Sequence, residues 1–211
     1  AEIHTQAIDL AAAEAPPRVH AYVQGLGLPV DVLVNNAGFG SYGFINDVPI
    51  EKELTMIHLH VATLYHLTRL FLQDMIERDQ GHIINLSSIS ALQPSPMLST
   101  YAATKSFVLQ FSRAINYELK EKGTKVRVTA VCPMATRGTG FQSGAEMEKT
   151  NTFDTWMTTD PDIVARDAYA VLRNKKDFVI PGRGFELLQR CVRHFPDWLQ
   201  MRIARENLKR K

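Results

Sequence analysis

Between Gly81 and Lys105 the sequence passes from a short apolar run into hydroxyls, then through a proline-bearing loop into a long amphipathic segment. Gly81-His-Ile-Ile-Asn-Leu-Ser-Ser88 reads as a buried strand whose carboxyl end opens into a site, since a continuous apolar run this short suits a strand covered on both faces. Pro94 and Pro96 close the loop, and the segment that follows carries no proline to about Lys120, so it is expected to be a helix. Tyr101 and Lys105 stand four apart and share one face of that helix, with Ser88 at the strand end before them. Function should sit there.

A free phenol titrates near pH 10 and is a poor general base at neutrality. A fixed cation nearby favours the phenolate, so Lys105 is expected to pull the Tyr101 pKa down and make it a usable acid or base. Across a substrate oxygen, the Ser88 hydroxyl can donate a hydrogen bond as charge develops there. The trio suits carbonyl reduction or alcohol oxidation. Tyr-x-x-x-Lys alone is a weak pattern, better explained by an exposed surface pair than by a catalytic one. The context raises its value: the pair follows a strand ending Asn85-Leu86-Ser87-Ser88 and lies downstream of a second apolar strand ending Asn35-Asn36-Ala37-Gly38.

With Asp31-Val-Leu-Val-Asn-Asn-Ala-Gly38, the Gly81 to Ser88 run, Tyr101-Ala-Ala-Thr-Lys105 and Val128-Thr-Ala-Val-Cys-Pro133 in this order, the chain resembles the short-chain dehydrogenases/reductases over nearly its whole length. The resemblance implies an α/β fold with a doubly wound, Rossmann-like parallel sheet in a three-layer αβα arrangement. It implies a single domain over residues 1–211, incomplete at its N-terminus, with a helical tail over residues 183–211. The implied function is NAD(P)-dependent hydride transfer between nicotinamide and a carbonyl or secondary alcohol. Tyr101 would be the general acid/base, Lys105 would hold the nicotinamide ribose, and Ser88 would orient the substrate oxygen.

The family pattern also places a first strand, a glycine-rich turn into a helix, and a second strand before Glu2; this sequence contains none of them and begins with Ala1. NAD and NADP are therefore not distinguished, because the residues that choose between them belong to that portion. Glu2 to Leu10 reads as a strand, with Asp9 at the family's adenine-contacting position. Without its neighbours the strand at Val30 to Asn35 becomes an exposed apolar edge, an aggregation hazard. A catalytically silent binding or assembly protein of the same fold is the alternative reading, supported by the absent turn, Met134 and His60.

Gly38-Phe-Gly40-Ser-Tyr-Gly43 matches a dinucleotide fingerprint by letters, but that motif needs a helix whose N-terminus faces the pyrophosphate. Here Asn46-Asp47-Val-Pro49 intervenes, with Asn46 or Asp47 as the expected cap. The family instead assigns Asn36, Ala37 and Gly38 to the adenosine ribose, leaving Gly40 and Gly43 as turns beside the substrate mouth. Ile50 to Arg78 has helical periodicity and a broad apolar face, which in the family often joins a homodimer interface. His60 stands where the family usually has a proton-relay Asn, and its imidazole is expected either to make the relay pH-sensitive or to fill space. His58 and His60 face different sides, so no metal site is expected there.

Met134 replaces the usual Gly after Pro133 and would be strained if the position required a positive φ. Thr136 is the chosen nicotinamide-amide contact beside Pro133, with Thr139 an equal rival. Gly138 to Thr159 suits a mobile lid, and its apolar residues hint at a hydrophobic substrate or anchor the loop to the core. Asp160-Pro161 is expected to cap a helix to about Asn174. The tail carries eight basic and three acidic residues with interleaved apolar ones and a break at Pro196. It can lie on an anionic membrane surface or pack on its own domain, and packing is the expectation.

At 45% hydrophobic and 22% charged residues, 211 residues support one sizeable core. A net charge of +2 gives no reason to expect a nucleic-acid partner. Two cysteines make no disulfide framework, and Cys132 reads as a small core residue. No apolar run approaches a spanning helix and no signal peptide is visible, so a cytoplasmic protein is expected. Its partners should be a small carbonyl or alcohol substrate and a second copy of itself.

Overall fold

The computed structural model describes residues 1–173, 176–192 and 194–209. In chain order its elements are α1 (Ala15–Gly25), β1 (Val32–Asn35), α2 (Ile50–Ile57), a π-helical turn (His58–Thr63), α3 (Leu64–Glu77), β2 (His82–Leu86), a 3-10 turn (Ile89–Leu92), α4 (Ser99–Glu121) and β3 (Arg127–Val131). Then follow β4 (Ala135–Thr136), α5 (Phe141–Gly144), a 3-10 turn (Thr152–Asp154), β5 (Thr158–Thr159), α6 (Pro161–Ala170), β6 (Phe178–Val179), α7 (Phe185–Val192) and α8 (Asp197–Asn207).

Every strand pairing in the main sheet is parallel, in the order β1-β2-β3-β6, with Val32 opposite His82 and His82 opposite Arg127. Parallel strands bury both faces, and the apolar runs of β2 and β3 allow it. On one face Leu72 and Met75 of α3 and Ile115 and Leu119 of α4 pack on Ile83 and Val128. On the other, Val164 and Ala168 of α6 pack with Val171 on Ile84 and Val131. The result is helix, sheet, helix. Asn35 binds the layers from within: its amide donates to Asn85 Oδ1 (2.8 Å) and Thr68 Oγ1 (3.2 Å), and Asn85 in turn donates to Ser112 Oγ (2.9 Å).

The strand expected at Glu2 to Leu10 is not formed. A strand exists only as part of a ladder, and among the described residues nothing pairs with β1 on its outer side. Val34 there is 52% exposed, as the edge argument requires. The N-terminal stretch is instead held at its end, where Thr63 Oγ1 donates to the Leu10 carbonyl (2.8 Å).

The helix expected from Ile50 to Arg78 is continuous but changes winding at His58–Thr63, which a 3.6-residue periodicity cannot register. Its N-cap is Pro49, not Asn46 or Asp47, which lie in the preceding turn. α6 begins at Pro161 as expected, but Asp160 makes no side-chain cap, and the regular helix gives way to a 3-10 turn after Ala170; Asn174 lies outside the described residues. The tail breaks at Pro196 and packs on the domain, burying Gln200, Ala204 and Leu208. Its Arg193, Arg210 and Lys211 lie outside the described residues. No described helix is long and apolar enough to cross a membrane.

Candidate active site

β2 delivers Ser87 and Ser88 to the carboxyl edge of the sheet, where both are buried. Ser88 is extended, and its Oγ accepts from Ser90 N–H (3.2 Å), capping the 3-10 turn that follows. Ser87 Oγ donates to the Lys105 carbonyl (2.7 Å) and Lys105 Nζ donates to the Leu86 carbonyl (2.9 Å), so the strand end and α4 are tied together twice. Ser106 Oγ adds a third tie, to the Ala91 carbonyl (3.0 Å). Ser88 and Tyr101 line the same cavity, and the ammonium of Lys105 lies 5.8 Å from the Tyr101 ring centre. The predicted trio is assembled.

Its electrostatics differ from the expectation. Burial pushes the Tyr101 phenol up to about 12, and the neighbouring Ser88 hydroxyl only moderates this. Burial dominates over any pull from Lys105, whose ammonium donates to the Leu86 carbonyl. Burial also brings Lys105 down to about 8, leaving it largely charged at neutrality. Cys132, fully buried behind the site, is pushed up to about 12 and stays a thiol.

His60 is buried against the site, its ring edge-on to Tyr101 with centres 5.9 Å apart. The Phe39 N–H donates to Nε2 (3.2 Å), which fixes the proton on Nδ1; that N–H faces Thr104 Oγ1 (2.9 Å), whose hydroxyl donates to the Tyr101 carbonyl (2.8 Å). Burial, with Lys105 nearby, lowers its pKa to about 3. His60 therefore stays neutral across physiological pH, and the expectation of a pH-sensitive relay is not met. It acts as a bracket between the β1 loop and α4.

Gly38 is where that bracket demands glycine. A Cβ there would stand 2.7 Å from His60 Nε2 and 3.4 Å from Lys105 Nζ. Asn36, Ala37 and Gly38 are exposed along the same edge, next to Lys105. The six-residue fingerprint is a loop, as expected: no helix follows it directly, Gly43 N–H donates to the Met97 carbonyl (3.0 Å), and a Cβ on Gly40 would meet the Phe141 ring at 2.8 Å. Asp9 is exposed, and its Oδ1 accepts from Ala11 N–H (2.9 Å), making it a turn residue ahead of α1.

Pro133 holds the Ile89 N–H through its carbonyl (2.9 Å) and lines the cavity with Met134, Thr136 and Thr139. Met134 has no positive φ, so the feared strain is absent. Thr136 Oγ1 donates to the Met134 carbonyl (3.0 Å) and Thr139 Oγ1 to that of Thr136 (3.1 Å). The sequence between Gly138 and Thr159 is not structureless: β4 and β5 pair, and Met147 and Phe153 bury themselves beside Tyr42, Met56 and Tyr101. Together these residues enclose a cavity of about 220 Å³ whose lining includes Ser88 and Tyr101. Sequence reasoning missed its far wall, where Leu188 and Val192 of α7 and Ile203 and Leu208 line the space. The only signal was the apolar spacing in a tail that reads equally well as a surface helix.

Tyr101, Pro133 and Thr136 line one cavity with Lys105 buried beside the Tyr101 ring, while Asn36, Ala37 and Gly38, the residues expected at the adenosine ribose, are exposed after β1. Among the described residues no glycine-rich helix start offers amides to a pyrophosphate. No three His, Cys, Asp or Glu side chains cluster as metal ligands among them either.

A family profile described as short chain dehydrogenase matches residues 1–149. Very-long-chain 3-oxoacyl-CoA reductase of Bos taurus is 38% identical over 144 residues, which is 64% of this chain and 44% of that protein. NADP-dependent 3-hydroxy acid dehydrogenase YdfG of Salmonella typhi is 41% identical over 116 residues, 54% of this chain and 46% of that protein. The chain thus spans less than half the length of these curated relatives. A serine dehydrogenase solved in complex with NADP+ superposes with a TM-score of 0.73 at 29% identity, over 82% of this chain and 73% of that one. A 7beta-hydroxysteroid dehydrogenase shares the fold at a TM-score of 0.77 and 24% identity, over 93% of this chain and 73% of that one. With a family match over well more than half its residues, a parallel sheet of the same kind, and Ser88, Tyr101 and Lys105 gathered at its carboxyl edge, the chain belongs to the short-chain dehydrogenase family.

Proposed function

We propose that the protein is an NAD(P)-dependent oxidoreductase acting on a small carbonyl compound or the corresponding secondary alcohol. The observation that carries the reading is the placement of the Ser88 and Tyr101 side chains in the lining of one cavity, with Lys105 buried beside the Tyr101 ring. The substrate oxygen takes the position between the two hydroxyls. Ser88 donates to it and fixes its direction. Tyr101, a neutral phenol at pH 7, is the proton donor in carbonyl reduction and, as phenolate, the acceptor in alcohol oxidation. Lys105 is the nearest positive charge when the phenol gives up its proton, and that charge offsets the developing phenolate. The dinucleotide, when bound, supplies the hydride. His60 holds the loop and α4 in register through hydrogen bonds at both ring nitrogens.

Calorimetric titration with NADPH and NADH tests the reading, on this chain and on the chain extended by its upstream coding sequence. Micromolar binding by the extended protein is expected; binding of neither cofactor by either protein would overturn the reading. The proposal extends to a homo-oligomer through the outer face of α3 and α4, where Tyr65 and Tyr117 are exposed and Tyr65 leans on Phe111. Sedimentation of Tyr65→Glu, with a shift to monomer, checks it.

A further inference from the structure

Helices α7 and α8 each turn one face to the cavity and the other away from it. In α7 the lining residues are Phe185, Leu188 and Val192, and in α8 they are Ile203, Ala204 and Asn207. At 3.6 residues per turn the opposite stripes carry Leu187 and Arg190 in α7, and Trp198, Met201, Arg202 and Arg205 in α8. All six are exposed, Leu187 by 67% and Trp198 by 62%, and so is Phe195 between the helices. Single exposed apolar side chains are ordinary on a protein surface. Here they share one side of two successive helices with arginines, and Arg202 and Arg205 make no ion pair among the described residues. The tail is also where the positive charge sits. Its eight basic against three acidic residues leave residues 183–211 five positive in a chain whose net charge is +2, so residues 1–182 are negative on balance. Two of the three acids are engaged, Glu186 with Lys176 (2.8 Å) and Arg190 (2.9 Å), and Glu206 with Lys209 (2.7 Å).

We propose that the outer face of α7 and α8 docks on an anionic lipid surface, with Leu187, Trp198 and Met201 at the boundary between headgroups and acyl chains and Arg202 and Arg205 against lipid phosphates. An indole, apolar in body with one N–H donor, suits that boundary. An arginine can lay its stem along the apolar layer and keep its guanidinium among the headgroups. No described helix is long and apolar enough to cross a bilayer, so the contact is interfacial. A second copy of the chain suits the face less well, because two-fold packing of one patch on itself would set Arg202 and Arg205 against their own copies. The inner faces of the same helices wall the cavity, so docking would bring the cavity to the bilayer, where an apolar carbonyl or alcohol dissolves. That consequence rests on the functional reading above; the docking does not.

The test is co-sedimentation of the full chain at pH 7 with vesicles of phosphatidylcholine alone and of equal parts phosphatidylcholine and phosphatidylglycerol. Binding to the anionic vesicles is expected to be at least about tenfold tighter, and to weaken as salt is raised. Arg202→Gln with Arg205→Gln should weaken it about thirtyfold, about fivefold for each arginine, with circular dichroism verifying the fold. Trp156→Phe leaves Trp198 as the sole tryptophan, whose emission should shift to the blue on binding and be quenched by lipid brominated in its acyl chains. Absence of binding, equal binding to both vesicles, undiminished binding by the folded arginine variant, or Trp198 emission unaltered on binding would overturn the proposal. A dimer that forms without vesicles and is broken by Trp198→Glu would give the face to a second copy, and binding of soluble polyglutamate as tight as that of the vesicles would give it to an acidic protein; either would overturn it too. None of these readouts uses turnover, so failure of the functional reading would leave them untouched.

Discussion

Gly38→Ala isolates the role of His60. The backbone at Gly38 does not lie in the left-handed region, so the only obstacle to a side chain is space. The new Cβ would stand 2.7 Å from His60 Nε2, where ordinary contact begins at 3.4 Å. The ring cannot swing away, because it is buried and held at both nitrogens. Retreating by the missing distance would carry Nε2 out of reach of the Phe39 N–H, now 3.2 Å away. That loses about 1 kcal/mol of hydrogen bonding and adds about 1–3 kcal/mol of overpacking, so Gly38→Ala should cost about 2–4 kcal/mol. In a His60→Asn background the shorter side chain vacates the space, and the same substitution should cost under about 1 kcal/mol. Urea denaturation of the four proteins at pH 7 measures the coupling. A Gly38→Ala cost below about 0.5 kcal/mol, or an equal cost in both backgrounds, would refute the bracket.

His60 and His82 have native pKa values of about 3 and about 4, below the ordinary 6.5, so the unfolded chain binds more protons between these values. Stability should therefore be full above pH 6.5 and fall as pH drops toward 3, with His60 contributing up to about 4 kcal/mol, and His60→Asn should flatten that fall; an unchanged slope would contradict the assignment. Tyr42 donates to the Leu208 carbonyl (2.6 Å), while Asn151 N–H and Thr152 Oγ1 reach the carbonyls of Lys209 and Asn207, latching the end of the tail beside the cavity. Tyr42→Phe should cost about 1 kcal/mol and speed amide exchange in α8, and unaltered exchange would show that the latch does not hold the helix.

The parallel sheet and the Ser88, Tyr101 and Lys105 trio were legible because each depends on local order: an apolar run, a proline-closed loop and a four-residue spacing. The strand at Glu2 to Leu10 was misread because a strand is a property of its neighbour, and an extended pattern forms no ladder alone. The direction of the Tyr101 pKa was missed for a related reason. Spacing puts a cation near the phenol, but the burial that raises its pKa depends on the tertiary fold. His60 was found as a departure from a family pattern, yet its role came from two partners 21 and 44 residues away. Asn35 and Asn85 looked like strand ends and are a buried polar tie across the layers. The far wall of the cavity was least legible, since amphipathic tail helices look alike whether they cover a core, a membrane or a ligand.

The most direct test of the account is steady-state reduction of a neutral long-chain ketone by the upstream-extended protein with NADPH, wild type against Tyr101→Phe. The substitution removes the phenolic proton and leaves the ring contacts with His60 and Phe141 in place. The account predicts that kcat falls by at least about a hundredfold, the range of a lost general acid, while calorimetric cofactor binding is unchanged. Turnover within about twofold of wild type would contradict it, because the proton would then come from elsewhere.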